Sequence, residues 1–178
     1  INLITHKCIY KNLIVDLQSR LPLPNVWLGV SCENQKAANQ RILPLLQVEA
    51  ATRFLSCEPL LGEIDFGIIP LYNRSRGTFE EGVKFVKELP ALDLIIVGGE
   101  SGVNARPCYI SWIRSIVNQC SAANIPVFVK QLGSNPIDSV PYGNSFNHFF
   151  LPLNDRKGGD INEFPEDLKI REFPEQKT

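Results

Sequence analysis

Methionine is absent from all 178 residues of the chain. A complete gene product starts with methionine and often keeps it, so this gap points to a piece of a longer protein. The chain opens instead on Ile1-Asn2-Leu3-Ile4-Thr5, which reads as a strand. That opening carries no charged n-region, no apolar h-region and no cleavage site, so it does not read as a signal peptide. Long apolar runs are also missing. None approaches the roughly 18 residues that a membrane span needs, so no membrane role is expected. Histidine is scarce, at His6 and His148 only, and no Cys-x-x-Cys occurs, so zinc-ligand spacing is absent. Strong charge of either sign is lacking too. Lys and Arg number 18 against 19 Asp and Glu, a net charge of −1, which argues against nucleic-acid binding by bulk charge.

What is present is an ordinary globular composition, 44% hydrophobic and 21% charged. It excludes a disordered tail, a collagen-like fibre and a disulfide scaffold. The five cysteines, Cys8, Cys32, Cys57, Cys108 and Cys120, are odd in number and have no close pair. They read as small buried hydrophobes in a reducing compartment, so the expected location is cytoplasmic.

Two hydrophobic periods alternate along the chain. After Ile1–Thr5, the residues Ile9, Leu13, Ile14, Leu17 and Leu21 recur at helical spacing up to the Pro22 and Pro24 stop. A strand is predicted over 25–30. A helix over about 35–47 follows, capped by Ser31 or Asn34 and ended or kinked by Pro44. Strands over 53–57, 94–97 and 126–129 come next in turn. Between them lie a loop over 73–77, a helix over 79–89 and a helix capped by Ser111. On that last helix Trp112, Ile113, Ile116, Val117 and Cys120 share a face. Trp27, Phe54 and Trp112 read as core. The stretch after Gly133, rich in Pro and Gly, reads as irregular, and His148 within it reads as structural or incidental.

The strands are short, β-branched and apolar on both faces, as buried parallel strands are. About five βα units therefore predict an α/β fold with a parallel sheet. The predicted organisation is one domain over 1–133 with an irregular tail over 134–178.

Polar residues cluster where each strand ends. They are Thr5 and Lys7 beside His6; Ser31, Glu33, Asn34 and Gln35; Ser56 and Glu58; Gly98, Gly99, Glu100 and Ser101; Lys130 and Gln131. In parallel α/β folds these C-terminal ends converge, and active sites are built there. Each such residue can equally be a loop start or a helix cap. Lys130 could serve as a Schiff-base amine and Glu58 in acid–base work. In Val97-Gly-Gly-Glu-Ser-Gly102 the glycines allow close backbone approach to a ligand, or merely a tight turn. Arg106 could hold a carboxylate or phosphate, or pair with Glu100.

Several segments together carry a family resemblance. They are Asn25-Val-Trp-Leu-Gly-Val-Ser31 with Glu33-Asn34-Gln35, Arg53-Phe-Leu-Ser-Cys-Glu-Pro-Leu-Leu-Gly62, and Ile96-Val-Gly-Gly-Glu-Ser-Gly102 with Ala105-Arg-Pro107. Phe128-Val-Lys-Gln-Leu-Gly133 and the closing Lys157-Gly-Gly-Asp160 to Pro174 region belong to the same set. The chain resembles the C-terminal two-thirds of a phage-associated protein family of unknown function whose members carry a radical-SAM-like three-cysteine motif.

That resemblance implies a partial TIM-type barrel lacking its N-terminal units. It also implies a [4Fe–4S] cluster and S-adenosylmethionine in the full-length protein, the cluster being held by cysteines upstream of this chain. None of the five cysteines here replaces them. By carry-over, Glu33, Asn34, Gly98, Gly99, Glu100 and Gln131 are the expected cofactor-binding residues. Glu58 and Lys130 are the expected catalytic pair. Thr5, Lys7, Ser31, Ser56 and Arg106 are the expected substrate contacts, and no metal ligand is expected in this chain. The chain departs from the family pattern at His6, at Cys32 and at Leu132, where tryptophan is usual, which puts a stacking role at 132 in doubt. Two rival readings stay open. One is a barrel lyase or hydrolase that uses Lys130 with a carboxylate. The other is a non-catalytic module for a small molecule or a partner protein. The fragment alone is expected to be inactive, with Ile1–Thr5 a bare edge strand prone to aggregation.

Overall fold

The computed structural model describes residues 22–68, 71–73, 78–80, 92–142 and 144–175. The predicted strand at Ile1–Thr5, the first helix, Thr5, Lys7 and Cys8 lie outside the described residues. So does most of the helix predicted over 79–89.

Four strands form the central sheet: β1 (Trp27–Ser31), β2 (Thr52–Cys57), β5 (Leu94–Gly98) and β7 (Val127–Gln131). Their order is β1-β2-β5-β7 and every pairing is parallel. This is the predicted mixed α/β architecture with a parallel sheet. Over the described residues the sheet is open, with β1 and β7 at its ends. A closed barrel is not formed among them.

Register sorts the side chains, because successive strand residues point to opposite faces. Leu55 sits beside Val30 and Ile95, and Ile95 beside Val127, so these share one face with Cys57, Val97 and Val129. Helices α1 (Gln35–Leu46) and α2 (Ile110–Ala123) join this face in one core through Ile42, Leu45, Ile113 and Ile116. The other face carries Gly29, Phe54, Ile96 and Phe128, all half-buried. Gly29 is required there because the Phe54 ring occupies the space that a Cβ would fill. Trp27, expected in the core, is 45% exposed. It lies on the open face at the start of β1, beyond the reach of the helices.

Local signals explain the helix ends. Asn34, not Ser31, caps α1, its side chain accepting from the Ala37 N–H at 3.0 Å. Pro44 lies in the last turn, and α1 ends at Leu46. Helix α2 starts one residue before the predicted Ser111 cap. Its N-cap is Tyr109, which makes no side-chain capping bond. The αL residue Asn124 closes its C-terminus, where the backbone N–H reaches Cys120 and Ser121 carbonyls.

Two segments differ from the sequence expectation. Short antiparallel strands β3 (Leu71–Asn73) and β4 (Thr78–Glu80) occupy part of the connection, so Phe79 and Glu80 are not helical. The tail is not irregular throughout. Strands β8 (Pro136–Tyr142) and β9 (Ser145–Phe150) form a hairpin, and β8 also pairs with β6 (Cys108–Tyr109). His148 on this hairpin stacks edge-on against Tyr109, with centroids 5.3 Å apart.

The rest of the tail fastens onto β7. Val129 N–H donates to the Ile170 carbonyl and Glu172 N–H to the Val127 carbonyl, at 2.9 and 3.0 Å. Arg171 donates to the Gly159 carbonyl and lies 5.5 Å from the Phe128 ring centroid. Leu132 N–H donates to the Gly158 carbonyl at 2.7 Å. These bonds fix the end of β7, where the candidate site begins.

Candidate functional site

A cleft of about 400 Å³ opens at the C-terminal end of the sheet, lined by Ser56, Glu58, Pro59, Gly99, Glu100, Ser101 and Gln131. Every one of these follows or ends β2, β5 or β7. Parallel pairing is the reason. It brings the C-terminal ends of strands distant in sequence to one edge, where their polar side chains escape burial.

The β2 end supplies Ser56, on the open face, and Glu58 two residues on. The Ser56 hydroxyl donates to Glu58 Oε1 at 3.3 Å. The Glu58–Pro59 peptide is cis. The chain then turns back across the sheet edge, Leu60 N–H donating to the Gly98 carbonyl and Leu61 N–H to the Glu33 carbonyl, both at 2.8 Å. This turn ties β2 to its two neighbours.

The β7 end has a bulge. Val97 faces Val129, but Gly98 faces Gln131, so β7 holds an extra residue at this step. In an unbulged strand Lys130 and Gln131 would point to opposite faces. Bulges re-aim side chains beside sites. Here Gln131 lines the cleft and donates to the Gly99 carbonyl at 2.8 Å. Lys130 reaches Glu58, with Nζ 3.0 Å from Oε2 and 3.2 Å from Oε1. The Lys130 side chain is 52% exposed and that of Glu58 20% exposed.

The β5 end supplies Gly98, Gly99 and Glu100. Gly99 packs so tightly on Leu132 that a Cβ would overlap the Leu132 carbonyl. Glu100 is held by Arg106 through three bonds. Oε2 accepts from the Arg106 backbone N–H and Nε at 2.9 and 2.7 Å, and Oε1 from Nη2 at 2.8 Å. This guanidinium fork lowers the Glu100 carboxyl to about 2. Of the two roles open to Arg106, the structure therefore places it in the pair with Glu100. Arg106 does not line the cleft.

Three other expected residues are turned away. Glu33 pairs with Arg41 on α1, Oε2 lying 2.7 Å from Nη1. Its carboxyl is lowered, chiefly by its own backbone N–H and then by Arg41, with burial opposing. Asn34 is spent on the α1 cap. Ser31, beside Ser56 in the sheet register, gives its carbonyl to Arg41. None of the three lines the cleft. Gly98 is buried and does not line the cleft, its carbonyl taken by Leu60. Pro59 and Ser101 line the cleft too, Ser101 as a member of the strand-end cluster to which no role was given and Pro59 as a residue outside that cluster. Their signal was adjacency, Pro59 to Glu58 and Ser101 to Glu100.

The resemblance places the cluster's cysteines upstream of this chain, so the donor set here bears only on whether the residues present fit such a cluster. Among the described residues no three Cys, His, Asp or Glu side chains converge to hold a metal. Cys32, Cys57, Cys108 and Cys120 are free and buried in the core. Burial pushes the thiols of Cys32, Cys108 and Cys120 up to about 12, and that of Cys57 well above its ordinary value. Such thiols do not suit an iron–sulphur cluster, and the described residues do not fit one. Leu132 is fully buried, so this position faces the core and not the cleft.

Comparison with known families settles where the chain belongs. A model of proteins of unknown function, DUF5131, matches residues 3–159. The chain is a member of the DUF5131 family. That family's span takes in all four strands of the central sheet and every cleft residue. No curated protein and no solved structure matches the chain. Among the described residues no helix is long and apolar enough to cross a membrane.

Proposed function

We propose that this DUF5131 protein is a barrel-type enzyme of the radical-SAM-like class, with its small-molecule site in the cleft at the C-terminal strand ends. The carrying observation is the Glu58–Lys130 pair, set at that edge by β2 and by the β7 bulge. Strand order supports the barrel. Parallel strands that follow one another in chain order, joined by right-handed crossovers, put their helices on one face and leave the other for a barrel interior. Phe54, Ile96 and Phe128 on that second face are half-buried, in keeping with a wall whose inner side is only partly covered.

The roles of this chain's residues follow from their bonds. Glu58 accepts protons or hydrogen bonds from a ligand, and Lys130 and Ser56 hold its carboxylate in place. Gln131 and Gly99 shape the floor. Glu100, fixed by Arg106, presents a permanently ionised carboxylate. S-adenosylmethionine, when bound, would supply the radical chemistry, with Gly99, Glu100 and Gln131 the residues placed to touch it. A lyase built on a Lys130 Schiff base has less in its favour. Lys130 is half-exposed and ion-paired, without the apolar surroundings that desolvate a nucleophilic lysine.

The test is anaerobic turnover of S-adenosylmethionine by the protein in its complete native chain, after iron and sulphide reconstitution and with a one-electron reductant. Reductive cleavage to 5′-deoxyadenosine is expected, with a loss of about 10²-fold or more in Glu58→Gln. Absence of cleavage by the reconstituted wild type would overturn the class. Wild-type rates in both Glu58→Gln and Lys130→Met would overturn the site.

A further inference from the structure

Outside the cleft lining, the β6-β8-β9 sheet ends on a strand with the features of a pairing surface. β8 and β9 match residue for residue, from the Ile137 and Phe150 pair to the Tyr142 and Ser145 pair. On the same register, Leu151 N–H donates to the Pro136 carbonyl at 2.9 Å. Bonded and non-bonded pairs alternate along an antiparallel ladder. Ser145, Asn147 and Phe149 therefore turn their backbone groups toward β8, whereas Phe146, His148 and Phe150 turn theirs outward. Among the described residues β9 is the last strand of this sheet, and all six of its residues are exposed. Edge strands are ordinarily guarded by Lys, Pro or a bulge. Ser145-Phe-Asn-His-Phe-Phe150 holds no Pro and no charged residue, and its ladder has no bulge.

Register and charge select the occupant. Phe146, His148 and Phe150 share one face, with Phe146 61% and Phe150 54% exposed. A two-fold axis normal to the sheet at His148 sets His148 against itself and Phe146 of each copy against Phe150 of the other. These are the residues whose backbone groups point outward, so every outward N–H meets an outward carbonyl. Each phenylalanine faces a phenylalanine, and the uncharged strand brings no like charges together. A charged strand would gain no counter-charge from β9. Phe146, Phe149 and Phe150 together expose roughly 300 Å² of ring per copy. Twice that area, with the paired backbone, lies toward the lower end of specific interfaces, about 1,200 Å². A dimer that forms reversibly is the fitting outcome.

We infer that two copies of the chain associate through β9, making one continuous sheet across an antiparallel β9–β9 junction centred on His148. Sedimentation velocity of the full native chain tests this, joined to amide hydrogen exchange. A dimer with a dissociation constant on the order of 10 µM is expected. Phe146→Lys should weaken it about tenfold, and adding Phe150→Glu to the same chain should restore it, because the register sets those two positions opposite each other. In the wild type, exchange of the Phe146, His148 and Phe150 amides should slow as concentration rises. The Asn147 and Phe149 amides, bonded to β8, should be slow throughout. That readout needs no variant to fold. The proposal falls if the chain is monomeric at about 100 µM. It falls too if the dimer ignores Phe146→Lys or if Phe150→Glu restores nothing. Outer amides already protected in the monomer would also overturn it, since another part of the chain would then cover β9. None of these outcomes involves S-adenosylmethionine, so this inference and the proposed function fall separately.

Discussion

Glu58 and Lys130 stand 72 positions apart in the chain and meet with Nζ 3.0 Å from Oε2. Neither belongs to a local motif that would find the other. The contact exists because β2 and β7 flank β5 in parallel, and because one extra residue in β7 re-aims its end. With Lys130 half-exposed, water screens the pair. Its contribution to stability is expected to be only about 0.2–1 kcal/mol. A double-mutant cycle of Glu58→Gln and Lys130→Met, read by urea unfolding, should return a coupling in that range. A coupling several times larger would mark the pair as a structural clamp.

Glu100 titrates under the control of Arg106. Its folded carboxyl lies at about 2, below the ordinary 4.5. A depressed carboxyl stabilises the fold above its ordinary value, and that contribution is lost as pH falls from 4.5 toward about 2. Carbon-detected NMR of the Glu100 side chain should therefore give a midpoint near 2, moving up toward 4.5 in Arg106→Gln. An unchanged midpoint in that variant would contradict the assigned cause.

Gly133 has φ +89°, and a Cβ there would lie 2.7 Å from the Glu100 carbonyl oxygen. Gly133→Ala combines left-handed strain with that overlap, so a loss of more than about 1–2 kcal/mol is expected in thermal or urea unfolding. The Glu100 resonances should shift as well, because the clash is with its own backbone. A neutral outcome would show that this turn does not hold the cleft.

Core positions give a contrasting pattern. Leu132 is fully buried beside the cleft, so Leu132→Ala should cost about 2–5 kcal/mol through cavity formation. Thiol labelling of Cys32, Cys57, Cys108 and Cys120 should be very slow in the native state and rapid in denaturant, because burial disfavours their thiolates. Fast native labelling at any of the four would contradict the packing.

The sequence disclosed the elements whose environment is uniform. Strand β5 is buried on both faces or nearly so, β2 and β7 bury one face against the helices, and the apolar centres of these strands and of β1 read directly. Helix α2 showed its buried stripe of Ile113, Ile116, Val117 and Cys120. The β8–β9 hairpin was hidden because Pro136 and Pro141 look like breakers, yet both sit in β8. The Gly143-Asn144 dipeptide before Ser-Phe-Asn-His-Phe-Phe150 was the available hairpin signal.

At the site, strand-end position alone identified Ser56, Glu58, Gly99, Glu100 and Gln131. Position could not separate Glu33 and Asn34 from them. The rotation of those two toward α1 depends on Arg41 and on the capping bond, which are set by helix packing. Gln131 reaches the cleft through a bulge, and bulges leave no periodic trace in a sequence.

The central claim is that the ligand site lies at the C-terminal ends of β2, β5 and β7. The most direct measurement is a ¹H–¹⁵N correlation spectrum of the full native chain titrated with S-adenosylmethionine. The account predicts shifts concentrated at Ser56, Glu58, Gly99, Glu100, Ser101 and Gln131, abolished in Glu58→Gln. Saturable shifts elsewhere with these residues silent, or no saturable shifts at all, would contradict it.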